Sequence, residues 1–325
     1  QKYIMGIKYL NRFLKENCSK NSIRKINLNQ LQSKTIVIDA SIYMYKYIAE
    51  NALIENMYLL ISLLLTNNII PLFIFDGKPP PEKYALLEQR RVQKKTAEDK
   101  YNELMMEYTD EELDLDKKML LFQEMKNLKN QFVRLTENDK KKVKELLDAY
   151  GVMYYVSPGE ADDICAYMVI TGKAWACLSD DMDMFVYGCP RVIRNISLLN
   201  KTVLFYDTNN ILADLCMSEE HFKQILVLSG TDYNIYEKTD LDTTIELYTK
   251  YMKQLVTKNI SSNISFYQWI MQTSEYISNV EQLNKICELF KINHIKELDE
   301  INIILKHRNS QELHSIMEKE GFVFA

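Results

Sequence analysis

The strongest constraint on this chain is a repeated pattern in which a short apolar run ends in a carboxylate. Thr35-Ile36-Val37-Ile38 leads into Asp39, Pro71-Leu72-Phe73-Ile74-Phe75 into Asp76, and Ala174-Trp175-Ala176-Cys177-Leu178 into Asp181 and Asp183. Unbroken runs of this length and composition have the character of strands buried on both faces. A fourth run, Val152 to Val156, passes through Ser157-Pro158-Gly159 into Glu160. Amphipathic stretches at helical spacing separate the runs. That alternation predicts an α/β fold around a central, mainly parallel sheet. In open sheets of this kind the site lies beyond the carboxyl ends of the strands, where all four acidic groups would converge.

Residues 82 to 149 contain neither Gly nor Pro and read as long helices inserted between the second run and the Val152 run. Such an insertion would stand above the strand ends. Past Gly230 there is no proline, the only glycine is Gly321, and Ile, Leu, Tyr and Lys recur at helical spacing, which predicts a mainly helical C-terminal region. The net charge of −5 hides a separation of signs along the insertion. Lys78 to Lys100 carries seven bases against four acids, Tyr101 to Asp116 seven acids and no base, and Lys126 to Glu145 seven bases against three acids. By itself this is the pattern of a solvated helical hairpin.

At 325 residues the chain is long enough for one large domain or two smaller ones. The longest apolar stretch, Met57 to Leu65, falls well short of a membrane span, and the first thirty residues lack the apolar core of a secretory signal. An intracellular protein with no membrane partner is expected. The six cysteines lie far apart with no Cys-x-x-Cys pair, so they read as reduced and mostly buried.

Around Glu160, Ser157-Pro158-Gly159-Glu160 matches a capping box, with Ser157 as N-cap and Glu160 three residues on. Asp162 and Asp163 follow directly and crowd three acids onto one helix start, which implies a counter-ion. Asp181 and Asp183 have the two-residue spacing that points both side chains the same way in an extended segment. Asp232, in Leu228-Ser-Gly-Thr-Asp-Tyr233, follows an apolar helical run and by itself would suit a turn. Carboxylates gathered at one sheet edge repel, and divalent cations would relieve that repulsion. All four histidines lie after residue 220, so an all-oxygen set suits Mg²⁺ or Mn²⁺ rather than Zn²⁺. Two such ions can activate a water and stabilise the leaving oxygen of a phosphodiester.

Met5-Gly-Ile-Lys8, Ile38-Asp-Ala-Ser41, Phe75-Asp-Gly-Lys-Pro-Pro80, Gly159-Glu-Ala-Asp162, Asp180-Asp-Met-Asp183 and Gly230-Thr-Asp-Tyr233 occur in that order. In these motifs the chain resembles the flap endonucleases of the XPG-type 5′ nuclease superfamily, from Met5 to about Tyr233. The resemblance implies a PIN-like 5′-nuclease fold, with a catalytic domain over residues 1–230, a helical arch over about 80–148, and a C-terminal helical region over 231–325 with a degenerate helix-turn-helix. It implies seven metal-binding carboxylates at Asp39, Asp76, Glu160, Asp162, Asp181, Asp183 and Asp232, holding two Mg²⁺ ions for which Mn²⁺ can substitute. Asp162 stands where the family has a longer Glu, and Asp163 is an additional acid. Lys83 and Arg90 match two cations placed over the scissile phosphate, Tyr45 an aromatic that stacks a base, and Gly6 a glycine close to DNA. Lys94 and Arg134 are candidates for contact with a single strand in the arch.

Two departures qualify the likeness. The family's helix-turn-helix holds a duplex phosphate and a monovalent cation on a glycine loop, but Asn234 to Ile245 contains no glycine, which argues against that cation site and that hold on the duplex. Gln1 to Ile4 precede Met5, so either these residues lie upstream of the true start or Gly6 is not a free amine and the site there is altered. No peptide that binds a sliding clamp is visible near the C-terminus. The resemblance implies a structure-specific 5′ flap endonuclease and 5′ exonuclease, a monomer cutting DNA where single and double strands meet, in the nucleus or another site of DNA replication or repair. A 5′→3′ exonuclease on DNA or RNA, a junction resolvase and a non-catalytic DNA-binding scaffold are the alternatives. The Asn, Ile and Lys bias suits a large DNA virus, with its replication compartment, or an AT-rich microbe.

Overall fold

The computed structural model of the chain describes residues 7–109, 114–234, 238–261, 263–292, 294–299 and 301–322. The apolar runs become neighbours in one seven-stranded sheet. Its strands are β1 (Ile23–Asn27), β2 (Thr35–Asp39), β3 (Ile70–Phe75), β4 (Met153–Val156), β5 (Ala176–Leu178), β6 (Arg191–Ser197) and β7 (Thr202–Asp207). The spatial order is β1-β7-β6-β5-β2-β3-β4, parallel from β6 through to β4 and antiparallel at β7 and β1. The chain lays down β2, β3 and β4 in one direction, then returns to add β5 on the other side of β2. That reversal opens a crevice at the carboxyl ends of β2 and β5.

Helices α1 (Leu10–Asn17), α2 (Ala40–Ala49) and α3 (Leu53–Thr66) precede the insertion, which consists of α4 (Tyr84–Tyr108), α5 (Leu115–Lys129) and α6 (Glu137–Tyr150). After β4 comes α7 (Ala161–Ile170), and after β7 come α8 (Thr208–Asp214) and α9 (Glu219–Leu228). The C-terminal helices are α10 (Leu241–Val256), α11 (Phe266–Thr273), α12 (Val280–Leu289), α13 (Lys296–Asp299) and α14 (Ser310–Lys319).

The two-residue period of each strand splits its side chains between two cores. Val37, Leu72 and Ile74 join one formed with α1, α7, α9 and the helices α10 to α13. Ile36, Ile38, Phe73 and Phe75 join the other, formed with α2, α3, α6 and α14. The first core is continuous from Leu10 through the sheet to Phe266, Phe290 and Leu298. Helix α6 starts at a capping box between Thr136 and Asp139 and stops at Gly151, whose φ of 69° is the left-handed conformation that glycine adopts most easily.

Beyond α13 the chain returns to this corner. Lys306 N donates to Gly151 O at 2.8 Å, Asn309 N to Ala149 O at 2.8 Å, and Lys142 on α6 pairs with Glu320 at 2.7 Å. Helix α14 thus lies against α6. No described helix is long and apolar enough to cross a membrane. All six cysteines are free; Cys165, Cys177 and Cys189 are buried, Cys18 and Cys287 are half-buried, and Cys216 is exposed, so burial extends to only part of the set.

Candidate active site at the carboxyl edge of the sheet

The site is built where strand backbone gives way to helix or turn. Asp39 ends β2 and caps α2, its Oδ1 accepting from Ile42 N at 3.3 Å. Asp76 follows β3, and its Oδ1 accepts from Ala161 N, the first amide of α7, at 2.8 Å. This replaces the cap expected from the sequence. Ser157 does not cap α7; the helix begins at Ala161 with Glu160 as N-cap residue, and the Ser157 hydroxyl instead accepts from Gly159 N. A carboxylate from the neighbouring strand supplies the missing acceptor, freeing Glu160 to face the site.

The approach of the two strand ends explains Gly77. Its N donates to Gly159 O at 2.7 Å, and a Cβ there would lie 2.0 Å from Ser157 O, so no other residue fits without moving the backbone. The segment holding Asp181 and Asp183 is a turn rather than an extended stretch. Asp183 N donates to Asp181 Oδ1 at 2.8 Å, and Asp183 opens a short 3₁₀ turn.

Asp232 reaches the same edge from the turn after α9. There Gly230 has φ 106°, and Asn234 closes the turn with N donating to Thr231 O at 3.0 Å and Nδ2 to Val227 O at 3.2 Å. Lys83 Nζ stands between Glu160 Oε1 at 2.8 Å and Asp232 Oδ2 at 3.4 Å, while Arg90 Nη2 donates to Asp232 Oδ1 at 2.8 Å. Tyr233 donates its hydroxyl to Glu160 Oε2 at 2.9 Å.

Four carboxyls of this edge are raised, by burial first and by acidic neighbours second. Burial first, then the charges of Asp76 and Asp181, raises the Asp39 carboxyl well above the usual range. Burial, with Asp39, Asp181 and Asp76, does the same to Asp162 against the opposing pull of Lys83. Asp183 is raised well above the usual range by burial, Asp181, Asp232 and Glu160, and Asp181 is raised by burial with Asp232 adding to it. For Lys83, burial opposes the charge, but Glu160 and Asp232 outweigh it and hold the ammonium protonated. Asp163 is pushed up to about 6, mainly by burial.

Among the described residues no three acidic, His or Cys side chains are closed around a single point in the manner of a finished metal site. Yet the donor set fits a hard cation. Asp162 Oδ1 and Asp183 Oδ1 are buried with no hydrogen-bond partner, leaving two carboxyl oxygens unsatisfied, as a bound cation would require. The oxygens gathered at this edge are carboxylate oxygens, a hard donor set that suits Mg²⁺ or Mn²⁺.

The arch residues are placed with less freedom than expected. Lys94 donates to Val133 O at 2.9 Å and lies 5.2 Å from the centroid of Tyr45, while Arg134 pairs with Glu98. Lys94 and Arg134, offered as contacts for a single strand, are thus engaged with the arch itself in this structure. Burial and the neighbouring Arg90 and Arg134 lower the Lys94 ammonium. Gly6 lies outside the described residues, as do Asp110, Glu111 and Glu112 of the acidic stretch.

Three residues given no role from sequence also shape the site. Arg194 on β6 is buried, donates to Asp180 O and rests on Met182 Sδ, and the next amide, Asn195 N, donates to Asp180 Oδ1 at 2.7 Å. Arg194 and Asp180 therefore bracket the Asp181–Asp183 turn, and Tyr233 fixes Glu160. A buried arginine one strand away from an acidic turn leaves no local signal in sequence, though a charged residue inside an apolar strand is a reason to look.

The family model described as the XPG N-terminal domain matches residues 5–97, and that described as the XPG I-region matches residues 151–232, together more than half of the chain. The chain belongs to the XPG superfamily of structure-specific 5′ nucleases. The chain is 27% identical over 314 residues to flap endonuclease 1 of Methanococcus aeolicus, covering 92% of this chain and 87% of the relative. It is 30% identical over 240 residues to that of Sulfolobus acidocaldarius, covering 65% of each. In fold it is similar to the catalytic core of Rad2 in complex with DNA substrate, with TM-score 0.67 at 21% identity over 98% of this chain and 95% of the other. For flap endonuclease-1 from Methanococcus jannaschii the TM-score is 0.63 at 22% identity, over 97% and 93%.

Proposed function

We propose that this XPG-superfamily chain is a divalent-metal-dependent 5′ flap endonuclease and 5′ exonuclease, acting on DNA at junctions of single and double strands during replication or repair. The observation that supports it most is the pair of unpartnered, buried oxygens of Asp162 and Asp183 within one edge that also gathers Asp39, Asp76, Glu160, Asp181 and Asp232. These seven residues would hold Mg²⁺ or Mn²⁺. When bound, such ions supply an activated water and charge stabilisation for the leaving oxygen.

The reaction adds water across a P–O bond: the water oxygen joins phosphorus, the bond to the 3′ oxygen breaks, and a 5′-phosphate and a 3′-hydroxyl result. The chain's own part is positioning and electrostatics. Lys83 and Arg90 stand on the arch side of the carboxylates and can turn their charge toward a phosphate. The partly buried Tyr45, beside Lys94, offers a ring face to the first base.

The test is incision of end-labelled 5′-flap, nicked, four-way-junction and single-stranded substrates with Mg²⁺ or EDTA, with Asp181→Ala as control. Metal-dependent cutting at the flap base, lost in the variant, supports the proposal. A full-length protein that binds flaps but never cuts them would instead be a scaffold.

A further inference from the structure

The two tyrosines beside the carboxylates share a wall that comes from far away in sequence. Phe290 follows α12, lies outside both matched family segments, and is 1% exposed. Its ring meets Tyr233 at 5.3 Å between centroids and 86° between planes, and Tyr187 at 4.9 Å and 68°, both edge-to-face. Each tyrosine belongs to a carboxylate-bearing turn. Tyr233 follows Asp232, bonds Glu160 through its hydroxyl, and has its ring centroid 5.0 Å from Lys83 Nζ. Tyr187 N donates to Asp183 O at 3.1 Å. Phe290 is itself anchored, its carbonyl accepting from Lys223 on α9 at 3.4 Å.

We propose that Phe290 is a positioning residue for the site: wedged between Tyr233 and Tyr187, it holds the Glu160–Lys83 pair and the Asp183 turn in register. The proposal rests on the nuclease reading for its kinetic consequences, though not for its structural ones. A cavity of about 330 Å³ explains why the wedge matters. It is lined by Glu160, Asp163, Tyr187 and Tyr233 on the site side and by Leu289 and Ile292 beside Phe290. With open space already adjacent, removing Phe290 would let the Tyr233 ring tilt instead of the core simply closing up. The tilt would draw the hydroxyl from Glu160 and the ring from Lys83. A packing residue elsewhere in the same core lacks this line of contact.

The experiment compares Phe290→Ala, the milder Phe290→Leu, Tyr233→Phe, the Phe290→Ala/Tyr233→Phe double variant, and Ile270→Ala, a fully buried position on α11 in the same core, all in the full chain. Two quantities are read: kcat and KM on a 5′-flap DNA, and the Mg²⁺ concentration that gives half of the maximal rise in Tm. Phe290→Ala should lower kcat roughly tenfold with little change in KM and should shift the Mg²⁺ midpoint several-fold. Adding Tyr233→Phe should cost little more, because both act through one contact. Ile270→Ala should lower Tm and leave both quantities in place.

A Phe290→Ala protein that behaves like Ile270→Ala, or whose losses multiply with those of Tyr233→Phe, would overturn the proposal. If Phe290→Ala does not fold, Phe290→Leu carries the same comparison. Should the wild-type chain cut no substrate, the nuclease reading falls, and the Mg²⁺ midpoint alone decides this one: a shift supports it and no shift overturns it.

Discussion

Asp39 and Arg90 face the same space but are held by different physics. Asp39 is 4% exposed at the end of a strand paired on both sides, and its carboxylate is tied to a helix amide. Arg90 has a side chain 38% exposed on α4, a 25-residue helix with only Leu86 and Ala97 buried. The sheet edge is fixed by backbone ladders and two cores, whereas the arch rests on a thin apolar seam and side-chain contacts at its base. The difference teaches that the carboxylates and the buried Lys83 are pre-organised, whereas the exposed Arg90 above them is adjustable. A polar cluster held against its own repulsion needs a rigid frame.

The largest effect should come from breaking the rigid side. Asp181→Ala should lower kcat on a flap substrate on the order of 10³-fold while the protein still binds the substrate; near-normal turnover would remove the carboxylate edge from the chemistry. Lys83→Ala should follow at about 10²-fold. The same substitution should destabilise the metal-free protein, since Glu160 and Asp232 lose a buried partner. Thermal melts in EDTA and in Mg²⁺ read that second consequence.

A third effect is one of pH. Folding raises the pKa of Asp39, Asp162, Asp181 and Asp183, chiefly through burial. A carboxyl raised in this way stabilises the fold while protonated, and that contribution is lost as pH rises through its folded value. Metal-free Tm should therefore fall from mildly acid to alkaline pH, and the gain in Tm on adding Mg²⁺ should be several degrees larger at pH 8 than at pH 5.5. Equal gains at both would mean that the acids do not share a cation.

The smallest effects belong to the arch. Lys94→Ala removes the tie to Val133 and the charge beside Tyr45, and should raise KM roughly threefold at unchanged kcat. Arg134→Ala breaks an exposed pair with Glu98 and should alter stability by no more than about 0.5 kcal/mol. A kcat loss at Lys94 as large as that at Lys83 would make the arch part of the rigid side after all.

The same contrast decides what could be read in the sequence. Runs such as Ile36-Val37-Ile38 announce buried parallel strands, and their carboxylate endings mark the sheet edge at which the acids gather. Strands β1 and β6 escaped because Arg24, Lys25, Arg191 and Arg194 break the apolar pattern within them, whereas β7, an apolar run from Thr202 to Tyr206 that ends in Asp207, carries the same signal as the parallel strands. Asp76 as the cap of α7 was invisible for another reason: the obvious local acceptor, Ser157, is spent on Gly159, and the true one lies on a strand far away in sequence. Local chemistry puts Glu160 three residues into a capping box, whereas in the structure it is the N-cap residue of α7 and meets Lys83 and Tyr233. The bracket of Arg194 and Asp180 and the wedge of Phe290 are tertiary facts with no signature in spacing.

The return of the chain to α6 through Lys306, Asn309 and Glu320 bears on how the molecule can be dissected. Leu146 and Leu147 on α6 share a core with Leu313 and Met317 from α14. A nick or stop codon shortly before Lys306 would therefore uncover the rear support of the arch rather than trim a tail. Fragments designed to end at the last matched family residue, Asp232, should be poor candidates for crystallisation or domain transplantation. Tags or fusion partners are better joined beyond Glu320 than inserted between α13 and α14.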